Sequence, residues 1–447
     1  MGLSVSDLYV DDWQRTPTQG ALFASHPEHN KISLFYNRYI SVSPVENLVP
    51  NLKIVKINNF DEAIEMLQKI GVDPYGIDAM VPKTQHVNIL LSAQSCKVAN
   101  ILKQEMLSLG ADAAVARGSV ACSIDTTDVL LMGTIKQIWA VAKKIEKQPF
   151  GLNLIARNIM DLLGNIAHNR YILKTSRREI TLGERTLIMG ILNATPDSFS
   201  DGNCYFDRQK AIERALQMAD EGADIIDVGG ESTRPGAKPV TAHQEIARVV
   251  PIVESLSRKL NIPISVDTAK SQVAQTSLEV GAEIINDISA MGDKKMATVV
   301  QKASAALILM HMRGKPANMQ TCNLAYDDVV EEIINYLKNR CRKAIAAGIG
   351  KDQMVVDPGI GFGKTYEDNY KIINKLDEFK VLGLPVLIGT SRKAFIGNIT
   401  GGAPVDRIEG TAATITAAIL KGCHIVRVHD VAFIKKVAAV TDAIIHA

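Results

Sequence analysis

The feature that most constrains this chain is a series of eight short apolar segments strung between residues 187 and 430. They are LIMGILN (187–193), ADIIDVGG (223–230), PISVDT (263–268), EIINDI (283–288), AALILMH (305–311), MVVDP (354–358), PVLIGT (385–390) and HIVRVHD (424–430). Each is short, β-branched and nearly continuous in apolar character, which is the pattern of a strand buried on both faces of a parallel sheet. Helix-like stretches separate them, beginning at Arg208, Ala242, Asp327, Arg407 and Val431, and several close on glycine. Eight strands, each followed by a helix, in roughly 260 residues fit a (β/α)8 TIM barrel. A doubly wound open sheet normally has fewer strands.

A second regularity favours the barrel. The strands run into polar residues at their C-terminal ends: Asn193, Glu231, Asp267, Asn286, His311, Asp357, Ser391 and His429. A barrel gathers those ends on one face, where such enzymes place their chemistry. The expected class is therefore α/β, with a TIM barrel over 180–447 and a smaller N-terminal α/β domain within 1–175. In that domain SLFYNRYISV (33–42) is strand-like and 61–71 helical. A strand over 87–92, a helix over 97–110, a strand over 113–118, a strand over 128–134 and helices over 135–148 and 151–170 follow. No phosphate loop, metal spacing or catalytic set marks these residues, and their expected role is structural or oligomeric.

Composition narrows the class further. Hydrophobic residues make up 47% and charged residues 22% of the 447 positions, with a formal charge of +2. That balance gives no electrostatic footprint for nucleic acid. No run approaches the ~18 apolar residues of a membrane span, and no secretory signal opens the chain. The six cysteines are scattered without a CxxC pair, as expected of free thiols in the cytoplasm.

The loops that follow the strands hold the candidate chemistry. NATPDSFSDGN (193–203) is long and polar, as a lid or binding loop would be, and the Asn193 amide oxygen could ligate Mg²⁺ beside substrate phosphates. GGESTRPGA (229–237) offers hydroxyls and the Arg234 fork to an anion. A turn that simply needs Gly and Pro reads equally well. Asp267, Asn286 and Asp357 together make an acceptor-rich pocket for a ligand edge bearing several N–H donors. Lys393, Arg427 and His429 place positive charge where barrels often bind phosphate. A salt bridge inside the barrel is the structural alternative for Arg427. DPGIGFGKT (357–365) and GTSRKAFIG (389–397) are Gly-rich but lack the P-loop order.

Taken together, these segments resemble the dihydropteroate synthase family. The resemblance rests on MGILNATPDSFSDG (189–202), DVGGESTRPG (227–236), SVDT (265–268), INDISA (285–290), LMHMRGKPANMQ (309–320), DPGIGFGKT, GTSRKAFIG and RVHDV (427–431), in family order. Ala194 and Ala394 are small departures that remove no functional group. The resemblance does not extend to residues 1–175.

It implies the condensation of a dihydropterin pyrophosphate with p-aminobenzoate in folate biosynthesis. Asp267, Asn286, Met310, Asp357 and Lys393 would hold the pterin, with Asp267, Asp357 and Lys393 as the catalytic set. Phe199, Thr233, Pro235, Phe362 and Ser391 would frame the p-aminobenzoate pocket. Arg234, Arg427 and His429 would contact the pyrophosphate, Asn193 would bind Mg²⁺, and Asp201 would close the first loop over the site. A homodimer is the family expectation. A pterin-dependent methyltransferase and a non-catalytic pterin-binding protein are the rival readings.

Overall fold

The structure is a computed structural model, and it describes residues 52–194, 204–232, 236–237, 239–316, 318–319 and 324–447. Of residues 204–207 only the backbone is described. The strand expected over 33–42 lies outside the described residues.

The N-terminal α/β layer opens with helices α1 (Phe60–Ile70) and α2 (Pro74–Met80). Asn59 caps α1 by accepting from the Glu62 N–H, and Gly71 ends it at φ 87°, a conformation that glycine adopts without a Cβ penalty. Then come β1 (His86–Ser95), α3 (Cys96–Leu107), β2 (Asp112–Val115), β3 (Thr126–Thr134), α4 (Ile135–Ile145) and α5 (Leu152–Ala167). Strand β3 lies between β1 and β2 and is antiparallel to both. Alternate residues Val129 and Leu131 on β3, with Ile89 and Ala113 on its neighbours, pack against Leu102 and Met106 of α3 and Ile138 and Val141 of α4. Thr134 and Gln137 form a capping box at the start of α4. The short helix α2, with Pro74 at its first turn, had no clear periodicity to announce it.

A hairpin of β4 (Tyr171–Lys174) and β5 (Glu179–Leu182) follows. Sequence reasoning missed it, because only Leu173 and Leu182 are fully buried and four-residue strands carry little pattern. Those two leucines pack against the lowest inward-facing layer of the barrel.

The barrel strands are β6 (Leu187–Asn193), β7 (Ile225–Gly229), β8 (Ile264–Asp267), β9 (Ile284–Asp287), β10 (Ala306–Met310), β11 (Met354–Asp357), β12 (Leu387–Ile388) and β13 (Ile425–Val428). All adjacent pairs are parallel. The ring closes where Val356 pairs with Val386. Around it lie α6 (Cys204–Asp220), α7 (Ala242–Lys259), α8 (Ser271–Glu279), α9 (Met296–Lys302), α10 (Val329–Ala346), α11 (Tyr366–Asn374), α12 (Ala394–Thr400), α13 (Ile408–Leu420) and α14 (Val431–Ile445). The eight strands fall within the eight apolar segments read from the sequence.

Strand periodicity then sorts the side chains. Ile226, Val228, Val266, Ile285, Leu307, Leu309, Val356, Ile388, Val426 and Val428 face the helices. The alternate set faces the axis, and it changes character along the strands. At the bottom Leu187, Met189, Ile225, Ile284, Ala306, Ile308, Val355, Leu387 and Ile425 form a dry layer sealed by the hairpin leucines. Two residues further along, the same faces carry Asp227, Asn286, Met310, Asp357 and Arg427. The apolar layer supplies the burial that stabilises the ring, ~1.5–3 kcal/mol per large side chain. The polar layer above it is the floor of the mouth.

Candidate active site

Arg427 sits at the centre of that floor. Its Nε donates to Asp227 Oδ2 at 2.6 Å, and one terminal nitrogen donates to Asp267 Oδ2 at 2.7 Å. Burial works against the guanidinium charge, but Asp227 and Asp267 more than offset it, so its pKa rises. The internal salt bridge read as an alternative for Arg427 is therefore present. Asn286 Nδ2 donates to the same Asp227 oxygen at 3.1 Å. Asp227 and Asn286 are almost completely buried, yet Asp227 Oδ1, Asn286 Oδ1 and the nearby strand hydroxyl Ser265 Oγ have no hydrogen-bond partner among the described residues. Buried polar atoms are rarely left so; three of them on one barrel floor mark where a polar ligand edge fits.

Asp357 ends β11, and its Oδ1 accepts from the Gly359 N–H at 2.7 Å. Burial pushes its pKa up, opposed by that hydrogen bond and then by Lys393, Lys364 and Arg427. Burial likewise pushes Asp267 up to about 7 against the pull of Arg427. Lys393 is pushed down to about 8 by burial, with Asp357 opposing. Its ammonium donates to the Ile360 carbonyl and lies 4.5 Å above the centre of the Phe362 ring. Burial thus draws Asp267 and Lys393 toward neutral pH, as is common for groups that exchange charge with a ligand. Met310, 3% exposed at the end of β10, adds an apolar wall.

Beside Lys393, after β12, Ser391 Oγ lies 3.0 Å from His429 Nδ1. The adjoining Arg392 adopts φ 60° and its Nε donates to Asp430 at 3.0 Å. Asn193 is half-buried at the end of β6. No group of three or more His, Cys, Asp or Glu side chains that could hold a metal occurs among the described residues. A single amide oxygen suits Mg²⁺ that takes its other ligands from phosphate and water. Phe199, Asp201, Thr233, Arg234 and Pro235 lie outside the described residues.

The base of the second loop is described. Glu231 Oε1 accepts from the Val240 N–H at 2.9 Å, tying the two ends of the loop together. Its other oxygen accepts from Lys270 at 2.7 Å, and Lys270 also bonds the fully buried Glu245.

Asp227, Lys270, Glu245 and Lys364 escaped the sequence reading. The signal for Asp227 was available: a lone carboxylate inside an otherwise apolar strand, at the inward parity of Ile225. The signal for Lys364 is a lysine among glycines beside a strand end, in a loop that lacks the P-loop order.

Comparison with known proteins now fits this geometry. A family of pterin binding enzymes matches residues 189–429. The chain is 45% identical over 276 residues to the dihydropteroate synthase of Bacillus subtilis, covering 62% of this chain and 94% of that protein. The chain belongs to the dihydropteroate synthase family. Among solved members it resembles the Yersinia pestis dihydropteroate synthase in a sulfonamide drug complex, at TM-score 0.58 and 39% identity over 62% of this chain and all of that one. A longer match reaches into the N-terminal layer. A probable bifunctional folylpolyglutamate synthase/dihydropteroate synthase of Halobacterium salinarum is 39% identical over 392 residues, covering 87% of this chain and 46% of that protein. The dihydropteroate synthase barrel thus occupies the C-terminal part of this chain, behind a layer that this longer match partly spans.

Proposed function

We propose that this chain joins 6-hydroxymethyl-7,8-dihydropterin pyrophosphate to p-aminobenzoate, forming 7,8-dihydropteroate and releasing pyrophosphate in folate biosynthesis. The observation that carries the reading is the barrel floor: three unpartnered buried polar atoms beside two carboxylates whose pKa burial raises. A pterin edge presents amino and ring N–H donors, and these are what Asp227 Oδ1 and the Asn286 carbonyl lack.

In this reading Asp357, Asp267, Asn286, Met310 and Lys393 bind the pterin. The C–O bond between its methylene and the pyrophosphate breaks, with the electron pair leaving on oxygen. The carboxylates favour the electron-poor pterin methylene that remains. Arg427 and His429, with Arg234, oppose the charge that grows on the leaving group. The arylamine nitrogen then forms the new C–N bond and gives up one proton. An aniline-type nitrogen is nucleophilic at neutral pH, so no strong general base is needed. Phe362, Ser391, Thr233, Pro235 and Phe199 frame the p-aminobenzoate, and Asp201 closes the first loop over the site. Mg²⁺, held by Asn193, would supply further charge for the pyrophosphate.

A cytoplasmic homodimer completes the proposal. Among the described residues no helix is long and apolar enough to cross a membrane. Ile399, Leu420, Phe433, Val440 and Ile444 are exposed on or beside the last three helices, which suits a self-association face. The test is pyrophosphate release from the pterin substrate, omitting p-aminobenzoate and Mg²⁺ in turn. Release coupled to dihydropteroate formation supports the proposal; tight pterin binding without product defeats it.

A further inference from the structure

We propose that Lys364 is a positioning residue of the pterin site, a buried ammonium that organises the loop after β11 and holds Asp357 in its ionised form. Lys364 is 1% exposed, and no acid among the described residues bonds it. Its Nζ lies 2.8 Å from the Gly359 carbonyl, 3.1 Å from that of Phe362 and 3.3 Å from that of His311. Three carbonyl oxygens around one nitrogen call for three N–H donors, which an ammonium has and a neutral amine lacks. The His311 Nδ1, 3.0 Å away, completes the cage. That ring is held neutral, its pKa pushed down to about 2 by burial and then by Lys364 and Arg313.

Gly359 links this cage to the pterin carboxylate. Its N–H donates to Asp357 and its carbonyl accepts from Lys364, at 2.7 and 2.8 Å. Anion and cation therefore sit on either side of one residue. Only glycine fits there: its φ is 71°, and a Cβ would fall 1.9 Å from the His311 carbonyl oxygen. At Gly363, with φ 63°, a Cβ would fall 2.2 Å from the Arg313 carbonyl oxygen. The glycine spacing of DPGIGFGK thus lets the backbone wrap around a cation of its own chain and aims the Phe362 ring at Lys393.

The charges facing Asp357 come from three places. Lys364 acts from its own loop, Lys393 from the loop after β12, and Arg427 from β13. The neighbouring Cys423 thiol, pushed up to about 12 by burial, contributes no charge. Burial pushes Lys364 itself well below the ordinary lysine range, and Asp357 and Asp368 oppose it, while Lys393 and Arg313 add to the push. A carboxylate accepts two N–H bonds from a pterin edge, and a protonated acid does not. Removing the Lys364 charge should therefore move the loss of pterin binding to higher pH.

This inference rests on the pterin reading of Asp357. The experiment measures binding of 6-hydroxymethyl-7,8-dihydropterin to the full chain by calorimetry from pH 5 to 9. K364Q keeps two N–H donors and loses the charge; K364R keeps the charge. The acid limb should move up by about one pH unit in K364Q, the scale for losing a nearby opposite charge, and stay in place in K364R. Equal weakening at every pH in K364Q, or the same shift in both variants, overturns the proposal. D357N tells the two failures apart: if it binds the pterin like the wild type, the site reading itself fails. Should K364Q not fold, nitrogen NMR of the wild type decides. An exchange-protected Lys364 ammonium at pH 7.5 supports the proposal, and a neutral amine overturns it.

Discussion

The N-terminal layer and the barrel mouth treat polar groups in opposite ways. Among the described residues before 170, the buried polar side chains are Ser119 and Thr127. Ser119 Oγ donates to Asn100 at 3.2 Å and Thr127 Oγ1 to the Asp128 carbonyl at 2.9 Å. The barrel buries Asp227, Asn286, Asp287, His311, Asp357 and Lys364, and leaves Asp227 Oδ1, Asn286 Oδ1 and Ser265 Oγ without partners among the described residues. Each unpartnered buried atom costs ~1–3 kcal/mol. The N-terminal layer closes the hydrogen bonds of its buried side chains; the mouth leaves bonds open that a ligand can complete.

The largest effect should come from the mouth. Arg427→Met leaves Asp227 and Asp267 buried side by side without their cation, a loss of about 4 kcal/mol on the scale of a broken buried ion pair. The penalty should depend on pH. Asp267 already has a raised pKa of about 7, and without Arg427 it rises further. A carboxyl whose folded pKa lies above its unfolded value stabilises the fold at low pH, and this is lost as pH rises. Urea unfolding should show a smaller penalty at pH 5 than at pH 8. An unchanged midpoint at both would mean that the mouth is wetter than its burial indicates.

The next effect belongs to the other region. Leu131 is fully buried in the N-terminal core, and Leu131→Ala should cost about 3 kcal/mol through lost burial and a cavity. Turnover per folded molecule should stay the same. A fall in kcat/KM with an intact barrel would break the division between a packing region and a working one.

Legibility followed the same division. The eight barrel strands could be read because double burial leaves a continuous apolar run, and the strand-end acids stood out against it. Asp227 sits inside such a run rather than at its end, so its one carboxylate reads as part of the strand and not with the strand-end acids. The β4–β5 hairpin was lost because its two anchors, Leu173 and Leu182, lie nine residues apart and act only against the barrel floor. Lys364 was lost because its partners are backbone carbonyls, which every residue has. The roles assigned to Asp267, Asn286, Asp357 and Lys393 came from acceptor and cation chemistry at strand ends together with the family resemblance, and the structure places all four around one mouth.

A third effect lies where the hairpin meets the barrel. His424 is 8% exposed, accepts the Val386 N–H at Nδ1 over 3.1 Å and packs edge-on against Tyr171 at 5.0 Å. Burial, then Lys380, pushes its pKa down to about 4. A histidine held neutral in the fold contributes stability that is lost as pH falls below its unfolded value of ~6.5, at ~1.4 kcal/mol per unit. Between pH 6.5 and 5 its share should be about 2 kcal/mol. His424→Gln should lower stability at pH 7.5 and flatten this slope by one proton. An unchanged slope would assign the acid sensitivity to His311 instead, the other ring that burial holds neutral.

The smallest effect tests whether the two regions unfold together. Asn165, near the end of α5, donates to the Val381 carbonyl at 3.0 Å. Gly383, at φ 60°, lets the chain before β12 come so close that a Cβ there would fall 2.2 Å from the Asn165 side-chain oxygen. Asn165→Ala removes one neutral hydrogen bond, worth about 1 kcal/mol. Its value lies in combination with Leu131→Ala. If α5 couples the N-terminal core to the barrel, the single urea transition of the Leu131→Ala protein should split in two when Asn165→Ala is added. The N-terminal layer would then melt first, with pterin binding retained. If the transition stays single, the coupling runs through the hairpin beneath the barrel, and Leu173 becomes the residue that joins packing to function.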